Sequence, residues 1–528
     1  MMERWISFFA VALALAACSS SDETRAGGGV ETTEIPGVDT PIPGSRTVTQ
    51  GGAQDIALFR EIVARGEVPG PETLDDVGFF AEHAVDLPPA ECGEDLCIHP
   101  SLAVAPRFNG DNWTMAFIAM NTPIDPSTLE RPSAHVAIVV DVASIEPSTA
   151  GVLNDGIAQI VDALEADDRV SIVEYASRTR VLLDGADVTA ELPTVGAEPL
   201  GVAGDLYGAL ATAGRLVDGD PDGRAGRVIL VSSGAATAGI DDADRVVNLA
   251  ESYARAGVAI NVIGMGDPSE SEARLLSSLG DLGAGTYSLA EDDADLAQIL
   301  ENQSGITLFP IATDLSIAIT PGEGYRIGRV WGARRAEVQD GFAFLDSPAL
   351  FVGHRTGSSD TGSGRRGGGG GLFVELIAED GAESLGASLP AFSYEATWIA
   401  NDGTVRRDDD EVVNPLAPGQ NPSEMWPEFV GGEKPFMMLN MYLALRTTVD
   451  FYAAGDCARS RGVEEMMAPS VEVYQGRIYD EDIDADWILL QDLTDNVTEA
   501  CGEALGITDP ETQRIVEPVE SSAGCFFS

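Results

Sequence analysis

Between residues 134 and about 302 the chain repeats one unit: a short apolar run, a helical stretch, then another apolar run. The runs at 135–141, 170–175, 227–232 and 259–264 are rich in Val and Ile, and each is about the length of one strand. The stretches at 152–166, 205–217, 241–256 and 269–279 carry apolar residues at helical spacing. Strands without alternation of polar and apolar residues are buried on both faces, which is the habit of parallel sheets covered by crossover helices. This order therefore predicts a doubly wound, mostly parallel α/β sheet over residues 133–304.

The flanks read differently. Residues 53–132 combine a helix, with Ile56, Phe59, Ile62 and Val63 on one face, and strand-like runs such as 114–120. Residues 305–400 hold five strand-like runs, at 315–320, 325–330, 341–345, 372–377 and 392–399. Either set alone is too small for a stable sheet. The two are expected to pair with each other, making the α/β unit an insertion in a β-sandwich. A Ser/Gly-rich stretch at 357–371, with Arg365, Arg366 and five consecutive glycines, reads as a disordered loop, and 401–434 as a linker. From 435 to 528 the chain turns helical. One stripe runs through Met438, Met441, Tyr442, Leu445, Val449 and Tyr452, another through Trp487, Leu490, Leu493, Val497 and Cys501. Such stripes usually form core.

At the start, Arg4 precedes an apolar run at 5–15, too short at ~1.5 Å per residue to cross a ~30 Å hydrocarbon layer. The run ends in Leu15-Ala16-Ala17-Cys18. This resembles a bacterial lipoprotein signal over residues 1–18 with its lipobox, in which Cys18 becomes the acylated first residue of the mature chain. Ser19, rather than an aspartate, follows it, a pattern similar to that for export to the outer membrane of a two-membrane bacterium. Residues 19–52 are Ser, Gly, Thr, Pro and acidic residues, and read as a disordered tether.

The 528 residues carry 86 acidic and 31 basic side chains, a formal net charge of -55, and Lys434 is the only lysine. Such a surface repels phosphate backbones, so nucleic acid is not an expected partner. Beyond the inner membrane the remaining five cysteines can oxidise. Cys92 pairs plausibly with Cys97 across a polar turn, and Cys457 with Cys501; Cys525 is then left over, although it could replace either partner. His83, His99, His135 and His354 are too scattered for a zinc site.

Residues 134–302 resemble von Willebrand factor type A domains. More broadly, residues 58–400 resemble the bacterial lipoproteins often labelled calcium-activated chloride channel homologues. Phe59-Arg60, Gly66-Glu67-Val68-Pro69, the run 135–141, 228–234 followed by Thr237-Ala238-Gly239-Ile240-Asp241, and Asn261 through Gly266 carry the likeness. Metal-binding members place an Asp-x-Ser-x-Ser motif, a threonine and a second aspartate at the carboxyl end of the sheet. A hard cation such as Mg²⁺ requires oxygen ligands in near-octahedral array. Carried onto this chain, the first aspartate is Asp141, but the serines have become Ala143 and Ile145, the threonine Gly204, and the second aspartate Ser233. The resemblance thus implies a crevice around Asp141, Ser144, Asp205 and Ser233 that has lost its metal and binds protein without one, with no cofactor.

The expected role is a lipid-anchored envelope protein, held to the membrane through its acyl chains and engaging an envelope protein partner. Two alternatives remain open. One is a cation-dependent adhesin whose ion site is rescued by Asp141, Ser144, Glu146, Asp205 and Ser233. The other is a hydrolase, although no His-Glu-x-x-His, Gly-x-Ser-x-Gly or Gly-x-x-x-x-Gly-Lys motif occurs and no catalytic residue can be named.

Overall fold

Residues 46–50, expected within the tether, form strand β1 (Arg46–Gln50), which is hydrogen-bonded on both sides. The computed structural model describes residues 46–502, apart from 107, 109–111, 147, 198–199, 219, 304–306, 357–363, 379–389, 415–431 and 478. Cys18, Cys525 and the rest of the tether lie outside the described residues. The tether reading fails at its end because a polar strand can be ordered by neighbours far away in sequence, which local composition does not reveal. Two residues further, β2 (Gly52–Ala53) adds a short parallel edge to the α/β sheet.

That sheet contains β5 (Ala134–Asp141), β6 (Arg169–Tyr175), β7 (Thr179–Asp187), β8 (Ala225–Ser232), β9 (Ala259–Gly264) and β10 (Thr286–Leu289). Its order is β2-β10-β9-β8-β5-β6-β7, parallel except for β7, which runs antiparallel to β6. The crossovers are α3 (Thr149–Asp162), α4 (Leu206–Asp218), α5 (Ala243–Arg255) and α6 (Glu270–Leu282), and α7 (Asp293–Asn302) follows β10. Every residue of β5 is buried, as the unbroken apolar run required. On α4 the apolar face is Leu206, Ala209, Leu210, Ala213 and Val217, packed on β5, β6 and β8. Ser269 and Glu272 close a reciprocal capping box that fixes the start of α6.

The flanking segments do pair with each other. The largest sheet takes β3 (Cys97–Pro106), β4 (Asn112–Thr122), β11 (Ala312–Pro321), β12 (Tyr325–Trp331), β13 (Arg335–Gln339), β14 (Phe342–Val352), β15 (Gly371–Ala378), β16 (Pro390–Ala400) and β17 (Val405–Val413). β4 from before the α/β body pairs with β15 from after it, and β1 bridges β4 to β14. Folded over at β1, the two halves pool their inner faces in one core, in which Ile118 and Val374 meet Ile317 and Trp398. The fold is therefore a doubly wound, mostly parallel α/β body inserted in a β-sandwich. β17 lies inside the stretch expected as a linker: Val405–Val413 forms an edge strand on β16, its charged Arg and Asp residues facing water as an edge tolerates.

Helices α1 (Ala57–Ala64) and α2 (Asp76–Ala81) precede β3, and α8 (Lys434–Ala453), α9 (Cys457–Arg477) and α10 (Glu481–Cys501) end the described chain. The apolar stripes of α8 and α10 join α2 and the other face of β4 and β15 in a second core, where Phe436 lies 6.5 and 6.4 Å from the rings of Phe117 and Phe373. Disulfides link Cys92 to Cys97 and Cys457 to Cys501, with Cα separations of 5.7 and 6.2 Å. No described helix is long and apolar enough to cross a membrane.

The Gly-rich stretch is ordered where it is described. Arg365 is buried between Glu82, Asp482 and Asp486, and Arg366 between Asp55 and Asp295. Of the glycines after them, Gly367 and Gly368 lie against the carbonyls of His354 and His83, and Gly371 lies against the Phe117 ring. A β-carbon on Gly370 would stand 2.9 Å from that of Phe80, and φ there is +79°. The run supplies close approach and positive φ rather than mobility, a difference composition cannot express.

Candidate functional site

In the α/β body the chain leaves β5 toward one side of the sheet and later returns to β8 on the other. The crevice between the carboxyl ends of those two neighbours is where an open α/β sheet holds ligands. Asp141 ends β5, and Ser232 and Ser233 follow from β8, so topology alone brings them together.

Asp141 is 1% exposed. Its Oδ1 accepts the backbone N–H of Ala143 at 3.1 Å. Its Oδ2 lies 2.8 Å from Ser144 Oγ and 3.0 Å from Ser233 Oγ, and the two hydroxyl oxygens are 2.8 Å apart. Two hydroxyl hydrogens serve these three contacts, so the triangle is satisfied internally, with one edge without a hydrogen at any moment. Beneath it the Tyr175 hydroxyl lies 2.7 Å from Ser232 Oγ, which also accepts the Gly234 N–H at 2.9 Å. Burial pushes the Tyr175 hydroxyl well above its usual range, and the nearby Asp141 and Asp205 carboxylates add to the effect, so it stays neutral.

Asp205 sits apart from this triangle and caps α4 through the Gly208 N–H at 3.0 Å. Gly204 is pinned to the following loop: its N–H donates to Thr237 Oγ1 at 2.9 Å, and its carbonyl accepts from Thr237 and Ala238. A β-carbon at 204 would come within 2.2 Å of the Ala235 carbonyl oxygen. Glu146 is exposed and Ile145 packs partly on the core. Of the residues named from sequence, the structure brings Asp141, Ser144 and Ser233 into direct contact and gives Asp205 a capping role. No group of three or more His, Cys, Asp or Glu that could hold a metal ion occurs among the described residues.

One arrangement escaped sequence reasoning because its members lie far apart in the chain. At the opposite end of the sheet His135 Nε2 lies 2.9 Å from Ser171 Oγ and Nδ1 lies 3.1 Å from Asp220 Oδ2. The order Ser, His, Asp is that of a nucleophile and its base. Ser171, however, is fully buried, and its Oγ already accepts the Gly185 N–H at 2.9 Å. No substrate carbonyl reaches it in this conformation, and the three residues tie β5 and β6 to the segment after α4.

The sheet order, the crossovers and a crevice at the β5–β8 switch together define a doubly wound, mostly parallel α/β fold. No protein-family model matches the chain. The Escherichia coli (strain K12) protein YfbK, described as uncharacterized, is 24% identical over 206 residues, or 37% of this chain and 35% of its own length. This chain thus spans about a third of that relative. Among solved structures, a von Willebrand factor type A protein from Catenulispora acidiphila superposes with a TM-score of 0.46 at 13% identity, over 76% of this chain and 96% of its own. The ArnB paralog VWA2 from Sulfolobus acidocaldarius gives 0.40 at 13% identity, over 77% and 99%. Likeness at this level says nothing about activity.

Proposed function

We propose that this chain is a lipid-anchored protein of the bacterial envelope whose type A body binds a protein partner, and that the β5–β8 crevice does so without a cation. The metal-free part rests on one observation: both carboxylate oxygens of Asp141 are already engaged by Ala143, Ser144 and Ser233. Ala143 and Ile145 offer no oxygen from their side chains, and residue 204 has no room for one. Three oxygens with a single charge make a poor resident site for a hard divalent ion. The anchor reading rests on Cys18 at the end of its apolar run and on the polar stretch after it. A partner in the envelope follows from that reading, and an outer-membrane address is proposed from Ser19.

Unfolding of the full chain with and without Mg²⁺, Ca²⁺ and Mn²⁺ tests the site. The proposal expects the same small shift in wild type and Asp141→Ala, since only diffuse attraction to an acidic surface acts. Radiolabelled palmitate incorporated into wild type but not Cys18→Ala tests the anchor, and cross-linking in intact cells identifies the partner.

A second reading, a rescued cation site, is favoured by one detail. An octahedral ion ~2.1 Å from each ligand needs neighbouring oxygens about 3.0 Å apart, and the Asp141–Ser144–Ser233 triangle has edges of 2.8, 2.8 and 3.0 Å. A stabilisation by Mg²⁺ that disappears in Asp141→Ala would select this reading over the first.

A further inference from the structure

In the half of the sandwich ordered β13-β14-β11-β16-β17, one face packs on the core and the other is turned to water. Outward positions of such a sheet are normally polar. On β14 they are not. Phe342 and Phe344, two residues apart and so on one face, are 41% and 45% exposed, while Ala343 and Leu345 enter the core. Exposed apolar groups side by side within a polar surround mark an interaction surface more often than singly scattered ones.

Strand register sets what surrounds them. Phe344 lies opposite Glu337 on β13 and Ala318 on β11, and the row continues through Glu395 on β16 to Asp409 on β17. In the next row Gln339 lies opposite Phe342, and Thr320, Ser393 and Glu411 carry it across β11, β16 and β17. The small side chains of Ala318, Thr320 and Ser393 line a trough of about 450 Å³ that reaches Asp409 and Glu411, starting one strand over from the phenylalanines. Charge on this face is unbalanced. Arg407 is shared between Glu395 at 3.0 Å and Asp409 at 3.3 Å, whereas Glu337 and Glu411 pair with no arginine or lysine among the described residues.

We propose that this outer sheet face docks a basic segment of a partner protein, its Lys or Arg side chains meeting Glu395, Asp409 and Glu411 and its apolar residues covering Phe342 and Phe344. Charge complementarity selects that occupant. A second copy of this chain carries 86 acidic against 31 basic side chains, and a membrane surface or a nucleic acid presents phosphates, so each would be repelled. Long basic side chains also suit the trough, because their hydrocarbon stems lie on apolar surface while the charged ends reach the carboxylates. The surface belongs to the sandwich, so the inference goes beyond the β5–β8 crevice and does not depend on it.

The full chain, produced in its own cells with the photo-cross-linker p-benzoylphenylalanine in place of Phe344, tests this. The same cross-linker in place of Val473, 60% exposed on α9, is the control. The expected product is an adduct absent from the control, joined to a peptide of another protein in which Lys and Arg outnumber Asp and Glu. That peptide, synthesised, should bind the purified full chain saturably. Asp409→Asn/Glu411→Gln and, separately, Phe342→Ser should each weaken it about tenfold or more. Both variants should keep the melting temperature, since the altered side chains are exposed. No adduct beyond the control, an adduct with lipid, with another copy of this chain or with a peptide lacking the basic excess, or an affinity that either variant leaves intact would overturn the proposal.

Discussion

The carbonyl oxygen of Ala235 stands 2.2 Å from the point where a β-carbon on residue 204 would sit. On the proposed type A reading, residue 204 stands in the place of a metal-binding threonine, and any side chain added there collides with backbone. Gly204→Thr is expected to destabilise the α/β body by about 1–3 kcal/mol, as overpacking does. Chemical denaturation read by circular dichroism checks the loss, and added Mg²⁺ should not recover it.

Arg365 holds Glu82, Asp482 and Asp486 around one buried guanidinium. Removing one partner of a buried ionic group leaves the others uncompensated, typically at a cost of about 3–5 kcal/mol. Arg365→Met should therefore lower the unfolding midpoint strongly and loosen α10 from α2. Hydrogen exchange at the amides of α10 would report the loosening directly.

The disulfide between Cys457 and Cys501 closes a loop with a sequence separation of 44, against 5 for Cys92–Cys97. Loop-closure entropy then predicts about 4 kcal/mol for the longer link and about 2 kcal/mol for the shorter. Cys457→Ala/Cys501→Ala should be the more damaging pair when unfolding is followed by urea titration. A larger loss from the short loop would show that strand pairing, not chain entropy, is what Cys92–Cys97 protects.

Stability should pass through a maximum in mildly acidic solution. Burial pushes Asp55 and Glu61 up to about 7 and Asp76 and Asp281 up to about 6. The folded state therefore holds protons the unfolded chain has released, and stability falls as pH rises from about 4 to about 7. Asp486 is held below the usual carboxylate range, despite burial, by Arg365 and His83; Asp482 likewise by Lys434, His83 and Arg355. Their contribution is present above about pH 4 and fades below it. Melting curves across pH check this, and Asp55→Asn should flatten the decline on the neutral side.

Much of the α/β body was legible in the chain. The runs 135–141, 170–175, 227–232 and 259–264 lie within β5, β6, β8 and β9, because strands buried on both faces must be apolar throughout. β7 and β10 were missed: β7 is an edge strand of mostly half-exposed residues, and β10 has only four residues. Around the crevice, Asp141, Ser144 and Ser233 were identifiable by position, yet sequence gave no sign that the serines and Asp141 bond one another. The clamp of Ser171, His135 and Asp220 left no trace, since it unites residues from β6, β5 and the segment after α4.

Local patterning determined the kind of sheet and the helices that cross it, because burial periodicity is written residue by residue, while the residues at its switch point came from the resemblance to type A domains. Tertiary packing alone decided that 46–50 is a strand held on both sides, that the five-glycine run is packed, and that Arg365 and Arg366 are buried. Each of these depends on partners hundreds of residues away, such as Val352 for Val48 and Glu82 for Arg365. Their energies come from long-range pairing and charge compensation, which no short window of sequence contains.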